Sequence, residues 1–457
     1  MLVLQAASCG GAPGAELPRL RVDDTGRFLE DTTGRPFFYL ADSAWGLFHK
    51  TDREEALLYL DDRSSRGFNV VQASITAAGF WPGLGPNRFG EAPFEANDPS
   101  RPNEAFFRYV DWVLDRAARR GLYVALLPTW GEYVCPAHHD GPKIFDVRNA
   151  GLYGRWLGER YRERTNLVWI IGGDRLPDRC DPGDLEVWRA LAEGVVSGVA
   201  SGGGPDPLLS YHPQGAAHSS TALHDESWLD FNMVQSSHCR DAPVYDMIAL
   251  DRSREPAKPT LDGEAAYENI PSCLERDARR IDAYDVRRSA WWSTFAGAAG
   301  HAYGAAEVFS FWSPGDPDAE GWYEQPWKVA LGYPGADQMR HLRTLMESRP
   351  FATRIPDQSL LVGEAGLWGQ RMQATRDEAG TYLFVYLATG RPVTVRTERL
   401  TGEALKAFWF DPRTGSSRVI GEFRSGAPRA FTPPSEQDWV LVIEDASRGF
   451  PLPGTAS

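Results

Sequence analysis

The chain has 457 residues, 42% of them hydrophobic and 12% aromatic, which is enough apolar material for a large core and more chain than one ordinary compact domain holds. Its formal net charge of −14 argues against a nucleic-acid or anionic-membrane partner, since either calls for a basic patch. No apolar run reaches the length that spans a bilayer.

The N-terminus, Met1-Leu-Val-Leu-Gln-Ala-Ala-Ser-Cys9-Gly10, places small residues before a cysteine, like the tail of a secretory or lipoprotein signal, but it lacks a basic leading region. Residues 1–19 are therefore read as a signal remnant or flexible start, with Cys9 as a candidate lipid anchor. The expected location is secreted, periplasmic or on the cell surface. A short β segment, Leu20–Asp31, follows and is expected to pair with the C-terminal module.

From about Arg35 to Ser348, short apolar runs alternate with amphipathic stretches, the pattern of βα units. Eight candidate strands are counted: Phe37–Ala41, Asn69–Ser74, Tyr123–Pro128, Leu167–Gly172, Leu208–His212, Phe231–Ser236, Pro259–Gly263 and Gly300–Gly304. Between them, Asn103–Arg120 carries Phe106, Val110, Val113, Leu114 and Ala117 at helical spacing, and Gly121 stands where a helix-ending glycine belongs. Asp184–Val199 repeats that periodicity. Eight units predict an α/β fold closed as a (β/α)₈ barrel over residues 20–350. No GxGxxG or GxxxxGK[ST] follows any strand, which disfavours nucleotide binding, and no cofactor is expected.

Beyond about Pro350 the segments Thr381–Ala388, Val393–Arg396, Ala407–Asp411, Ser417–Ile420 and Trp439–Glu444 are short, β-rich and parted by Gly and Pro turns. Residues 351–457 are therefore expected to form an antiparallel β-sandwich.

Five cysteines are present, Cys9, Cys135, Cys180, Cys239 and Cys273, with no CxxC and hence no structural zinc signature. Cys135 with Cys180, and Cys239 with Cys273, would join neighbouring loops on one barrel face; free loop thiols are the other reading. His49, His139, His212, His238 and His301 include no HExxH or i, i+4 pair, so no catalytic metal is expected. No GxSxG elbow occurs either, which weighs against a serine esterase.

In a barrel of this type, polar residues at the C-terminal strand ends face the active site. Two carboxylates stand out there: Asp174 after Leu167-Val-Trp-Ile-Ile-Gly-Gly173, and Glu264 after Pro259-Thr-Leu-Asp-Gly263. Strands four and seven lie across the ring from each other. Their carboxyls can therefore flank a glycosidic bond, one attacking the anomeric carbon and the other protonating the leaving oxygen, at the roughly 5–5.5 Å separation of a retaining glycosidase. Asp174 has a competing reading as a helix cap. Asp262 competes with Glu264, because residues two apart on a strand share a face. Asp42, Trp45, Gln72, Trp130, His212, Gln235, Tyr303 and Trp312 are the expected sugar-pocket side chains, with Trp130 or Tyr303 as an apolar wall that raises the acid's pKa. The expected partner is an oligo- or polysaccharide. A non-catalytic carbohydrate- or matrix-binding protein on the same scaffold is the alternative, and the retained pair of carboxylates discriminates against it.

At these residues the chain resembles the apiosidase-like glycoside hydrolases, the group around glycoside hydrolase family 140. The likeness rests on Phe38-Tyr-Leu-Ala-Asp-Ser-Ala-Trp-Gly-Leu-Phe48, Gly67-Phe-Asn-Val-Val-Gln72, Leu167-Val-Trp-Ile-Ile-Gly-Gly-Asp174, Lys258-Pro-Thr-Leu-Asp-Gly-Glu264 with Tyr267-Glu268, and Arg288-Ser-Ala-Trp-Trp292 running on to Tyr303-Gly304. The segments Ala407–Gly415 and Asp438–Val442 resemble a module labelled collagen-binding in such proteins. The resemblance implies a barrel with a β-sandwich appendage and retaining cleavage. It implies Asp174 as acid/base and Glu264 as nucleophile, and apiose in plant pectin side chains as a substrate. The Ala78–Arg101 insertion, with Phe80-Trp81-Pro82, is expected to shape sugar subsites.

Overall fold

The computed structural model describes residues 16–76, 83–136, 141–317 and 321–455. Cys9, His139 and the Phe80-Trp81-Pro82 segment lie outside the described residues.

Eight parallel strands curl around a common axis: β1 (Tyr39–Ser43), β2 (Val70–Ser74), β3 (Tyr123–Leu127), β4 (Leu167–Gly172), β5 (Leu209–His212), β6 (Asn232–Gln235), β7 (Thr260–Glu264) and β8 (Gly300–Tyr303). The ladder runs β5-β4-β3-β2-β1-β8-β7-β6, which closes β8 onto β1. Every residue of these strands is buried, as expected of parallel strands covered by the barrel interior on one face and helices on the other. At the seam between β5 and β6, Asp230 N donates to Leu209 O at 2.9 Å and Ser210 Oγ to Phe231 O at 2.7 Å. A short strand, Ala217–His218, adds antiparallel to β6.

The helices packed outside are α1 (Arg53–Ser65), α2 (Glu104–Ala118), α3 (Val147–Tyr161), α4 (Asp184–Ala200), α5 (Val244–Arg252), α6 (Ala283–Phe295) and α7 (Pro334–Glu347). Asn103 caps α2, accepting from Ala105 N at 2.9 Å, and Gly121 beyond its end has φ +74°, as the sequence pattern requires. Helices α3 and α4 meet backbone to backbone through glycines. A Cβ on Gly158 would stand 2.3 Å from Val195 O, and one on Gly198 2.3 Å from Arg155 O.

The segment at Leu20–Asp31 does not pair with the C-terminal module. It forms its own three-stranded antiparallel sheet, Leu20–Val22, Leu29–Asp31 and Pro36–Phe37. That sheet sits by the N-terminal strand ends, with Phe37 edge-on to Tyr123 at 5.1 Å. Its strands find their partners in one another, through local antiparallel pairing within residues 20–37.

The C-terminal region holds β9 (Arg354–Pro356), β10 (Met372–Asp377), β11 (Tyr382–Leu387), β12 (Val393–Arg396), β13 (Ala404–Phe410), β14 (Ser417–Arg424), β15 (Pro428–Phe431) and β16 (Trp439–Asp445). Six of them form one antiparallel sheet in the order β9-β10-β11-β16-β13-β14, and β12 pairs with β15. Alternation along β11 divides two cores. Tyr382, Phe384 and Tyr386 join the barrel's core, whereas Leu383, Val385 and Leu387 join Val393, Val395 and Phe431 in the sandwich's own. Against α6, Trp291 stacks on Tyr386 at 5.9 Å and Phe295 on Phe384 at 5.7 Å. Arg287 Nε bonds Asp438 Oδ2 at 2.7 Å across the same contact.

Candidate active site

At the end of β4 three successive residues have positive φ: Gly172 at 88°, Gly173 at 135° and Asp174 at 52°. Only glycine tolerates the first two cheaply, and aspartate is among the few residue types found in the third conformation. Space forbids side chains as well. A Cβ on Gly172 would lie 2.7 Å from His212 O, and one on Gly173 would lie 3.1 Å from the Trp130 ring and Gly131 N. The strand thus leaves the barrel through a slot between Trp130 and His212. Asp174 emerges with its amide N–H directed at His212 Nδ1, 3.2 Å away. It caps no helix, because α4 begins ten residues later with Gly183 before it.

The Asp174 side chain is 41% exposed to the cleft, with Arg175 Nη1 3.6 Å from Oδ2. Loss of solvent raises its pKa above the usual carboxylate range, and the charge of Glu264 pushes the same way, outweighing His212 and Arg175.

Glu264 stands across the pocket at the end of β7. The pairing of β6 with β7 slips here, with Val234 opposite Asp262 but Gln235 opposite Glu264. A Cβ on Gly263 would point into the barrel against Met233, 2.3 Å away, and the Glu264 side chain also points inward to Gln235. Two consecutive residues on one side define a β-bulge, which re-aims the side chain that follows. The bulge separates the two competing carboxylates. Asp262 faces away from the pocket toward Ser236 Oγ (3.1 Å) and His301 Nδ1 (3.6 Å), where burial raises its pKa to about 7. Simple alternation, which would put both on one face, fails because of this one inserted residue.

Four groups converge on the Glu264 carboxylate. His212 Nε2 lies 3.0 Å from Oε2, His238 Nε2 lies 3.0 Å from Oε1, Gln235 Nε2 donates to Oε1 at 3.1 Å, and the Tyr267 hydroxyl bonds it too. Burial by itself would raise the pKa of this carboxyl; the bonds from His212 and His238 outweigh it and lower the pKa to about 2. Around this centre, Trp45 Nε1 donates to the Tyr267 hydroxyl at 2.8 Å. The rings of Trp45 and Trp130 stand 5.1 Å apart and 5.3 and 5.8 Å from His212.

The structure therefore brings Trp45, Trp130, His212 and Gln235 to the carboxylate pair. It places four other expected pocket residues elsewhere. Asp42 points outward from β1 into a sealed cluster, accepting from Tyr59 at 2.5 Å and facing Arg63 Nε at 3.4 Å. Tyr303 shares that outward face and donates to Glu268 Oε2 at 2.7 Å, so it is not the wall beside the acid. Gln72 is fully buried inside the barrel, donating to Gly263 O at 2.8 Å. Trp312 stacks on Tyr323 at 5.4 Å, at the end of an aromatic run that reaches Tyr267 through Phe309. Strand register turns Asp42 and Tyr303 outward, whereas Gln72 faces inward and is spent on the backbone beside Glu264. His238 and Tyr267 are site residues that the strand-end pattern does not pick out: His238 stands two residues beyond the predicted sixth strand, and Tyr267 lies within the family motif.

Two disulfides bracket the site. Cys135–Cys180 joins the loops after β3 and β4, and Cys239–Cys273 joins those after β6 and β7, with Cα separations of 5.5 and 4.2 Å. Arg175 Nε bonds Cys135 O at 3.2 Å, and Cys273 N bonds His238 O at 2.8 Å, so each bridge adjoins one side of the pocket. Among the described residues, the grouping with metal-ligand spacing is Cys135, Cys180 and Asp184, whose two sulfurs are already bonded to each other.

Comparison with known proteins agrees with this architecture. Residues 23–353 match the family model described as "Apiosidase-like, catalytic domain", and residues 355–444 match "Putative collagen-binding domain of a collagenase". A solved structure described as "Glycoside hydrolase" is 32% identical with a TM-score of 0.84, over 94% of this chain and 97% of that one. A structure described as a glycoside hydrolase family 5 from Bacteroides vulgatus ATCC 8482 is 31% identical with a TM-score of 0.86, over 96% of each chain. No curated protein matches the chain.

Proposed function

The chain belongs to the apiosidase-like glycoside hydrolases, and we propose that it cleaves its glycoside with retention of configuration, by double displacement. A Glu264 oxygen attacks the anomeric carbon while Asp174 gives its proton to the departing oxygen. Asp174, now a carboxylate, takes a proton from water as that water attacks the glycosyl ester and releases Glu264. The observation that carries this reading is that their surroundings shift the two carboxyls in opposite directions. Glu264 is held ionised by His212, His238, Gln235 and Tyr267, while Asp174 is biased toward its acid form by lost solvent and the Glu264 charge.

His212 is assigned a positioning role rather than sugar contact. It is fully buried, with one ring nitrogen facing Glu264 and the other facing the Asp174 amide. Trp45 and Trp130 wall the site behind it. The assigned substrate is a pentofuranoside such as apiose in plant or bacterial glycans, supported by the description of the matching family model. Residues 20–350 are assigned as the catalytic unit and 351–457 as an accessory sandwich. Export fits the two disulfides, which persist in oxidising compartments.

The test is a screen of aryl glycosides of apiose, arabinose and related sugars, with proton NMR of the first-formed product from any that is cleaved. Retention of the anomeric configuration and a covalent sugar adduct on the Glu264 peptide are expected. An inverted first product would overturn the double displacement.

A further inference from the structure

Leu367 and Trp368, in the loop joining β9 to β10, are 70% and 63% exposed. A free loop would relax, but this one is held. Trp368 keeps φ at +51°, a strained conformation for a bulky residue that persists only where the surroundings impose it. The restraints are visible on both sides. The Trp368 backbone bonds the Tyr245 hydroxyl, Trp292 Nε1 donates to Arg371 O at 3.0 Å, and Arg391 Nη2 donates to Gln370 O at 3.1 Å. The barrel and the sandwich together hold a large aromatic side chain out in water.

Two further observations say what it meets. The loop abuts the active-site rim, since a Cβ on Gly369 would lie 3.7 Å from Asp241 Oδ1. Asp241 is three residues, at most about 11 Å of chain, from His238, which touches Glu264. Two unneutralised cations meet here in a chain of net charge −14: Arg371 of this loop, and Arg391 of the turn between β11 and β12. Arg371 lies 4.7 Å over the Tyr245 ring, and its Nε bonds only an amide oxygen, that of Gln373. Arg391 bonds a backbone carbonyl, and its Nε is buried without a partner. Neither guanidinium has a carboxylate partner among the described residues. Nearby Asp241 is taken up by Arg288 Nη2 at 3.0 Å; of the loop's two acids, Asp357 is paired with Arg376 Nε at 2.7 Å and Glu364 precedes Trp368 by four residues.

We propose that Trp368, Arg371 and Arg391 form an accessory subsite for an acidic glycan, with the indole under a sugar's C–H face and the guanidiniums on uronate carboxylates. An aromatic plane suits an apolar sugar face, and a planar guanidinium suits a carboxylate. The subsite would hold the part of the substrate that extends beyond the cleaved bond, and in that respect it rests on the glycosidase reading.

The test is affinity gel electrophoresis of the full chain, in the Glu264→Gln background so that nothing is turned over, with polygalacturonate or neutral arabinan in the gel. Retardation by polygalacturonate that weakens with added salt is expected, with dissociation constants raised roughly tenfold by Trp368→Ala and by Arg391→Gln at unchanged Tm. No retardation, retardation untouched by Trp368→Ala, or equal retardation by arabinan would each overturn the proposal. None of these outcomes depends on catalysis, so the glycosidase assignment stands or falls separately.

Discussion

The two sides of the barrel mouth hold the same functional group and treat it in opposite ways. On the β4 side, Asp174 reaches the pocket through three positive-φ residues, is partly open to the cleft and has few partners. On the β7 side, Glu264 is turned inward by a bulge, is buried, and is bonded by His212, His238, Gln235 and Tyr267. Burial acts on both carboxyls in the same direction, so the donors around each decide which way its pKa moves. Only Glu264 has enough donors to overcome burial. Each side is stapled by its own disulfide, and His212 reaches both carboxylate-bearing residues.

The comparison breaks most severely on removal of either carboxylate. Glu264→Gln is expected to lower kcat/KM on a cleavable aryl glycoside by on the order of 10⁴-fold or more. Asp174→Asn is expected to cost less when the leaving group needs no protonation, and azide should restore it as the glycosyl azide. Equal losses on good and poor leaving groups would refute the division of labour.

Substitution at His212 separates the two sides. His212→Asn keeps an acceptor near the Asp174 amide and removes the donor to Glu264. The acid limb of the kcat/KM profile should then rise by about one pH unit, the worth of one lost bond to a charged group. His212→Gln keeps the donor and should leave that limb in place. In the wild type, activity should appear as pH rises past the depressed Glu264 pKa of about 2 and fall as Asp174 loses its proton above the ordinary carboxylate range. A loss of kcat with both limbs unmoved in both variants would reduce His212 to packing.

The backbone devices can be tested on stability. Gly172→Ala brings a Cβ 2.7 Å from His212 O at a φ of +88°, and Gly158→Ala brings one 2.3 Å from Val195 O. Each is expected to cost roughly 1–3 kcal/mol by thermal or urea unfolding, but only Gly172→Ala should also impair catalysis.

The smallest expected effect concerns pH and Asp262. Its folded-state pKa, about 7, lies above the unfolded value, so its contribution to stability is present at low pH and declines as pH rises toward 7. Glu264 has the opposite sign, stabilising above its unfolded pKa and losing that contribution as pH falls toward 2. Asp262→Asn should flatten the Tm decline between about pH 4 and 7 and leave the acid-side decline in place. An unchanged slope would show that Asp262 does not titrate in this window.

Much of the frame was legible in the chain. Each of the eight runs predicted from sequence overlaps the observed barrel strand, with bounds within two residues, because a parallel strand buried on both faces is mostly apolar. Gly121 was equally readable, since a helix-ending glycine follows a local rule. In the sandwich, Met372–Asp377 has apolar side chains only at Met372 and Ala374, too few to mark a strand, and pairing with Tyr382–Leu387 decides it.

What the sequence determined by itself is therefore periodic or local: the order of strands and helices, the carboxylates at strand ends, and the cysteines in neighbouring loops. The tertiary structure decided which way each polar side chain faces. One bulge at Gly263 separates Glu264 from Asp262, and strand direction at the barrel's rim turns Asp42 and Tyr303 out to Arg63 and Glu268. Facing depends on register with a partner strand far away in the chain, and a shift of one residue reverses it without any change in composition.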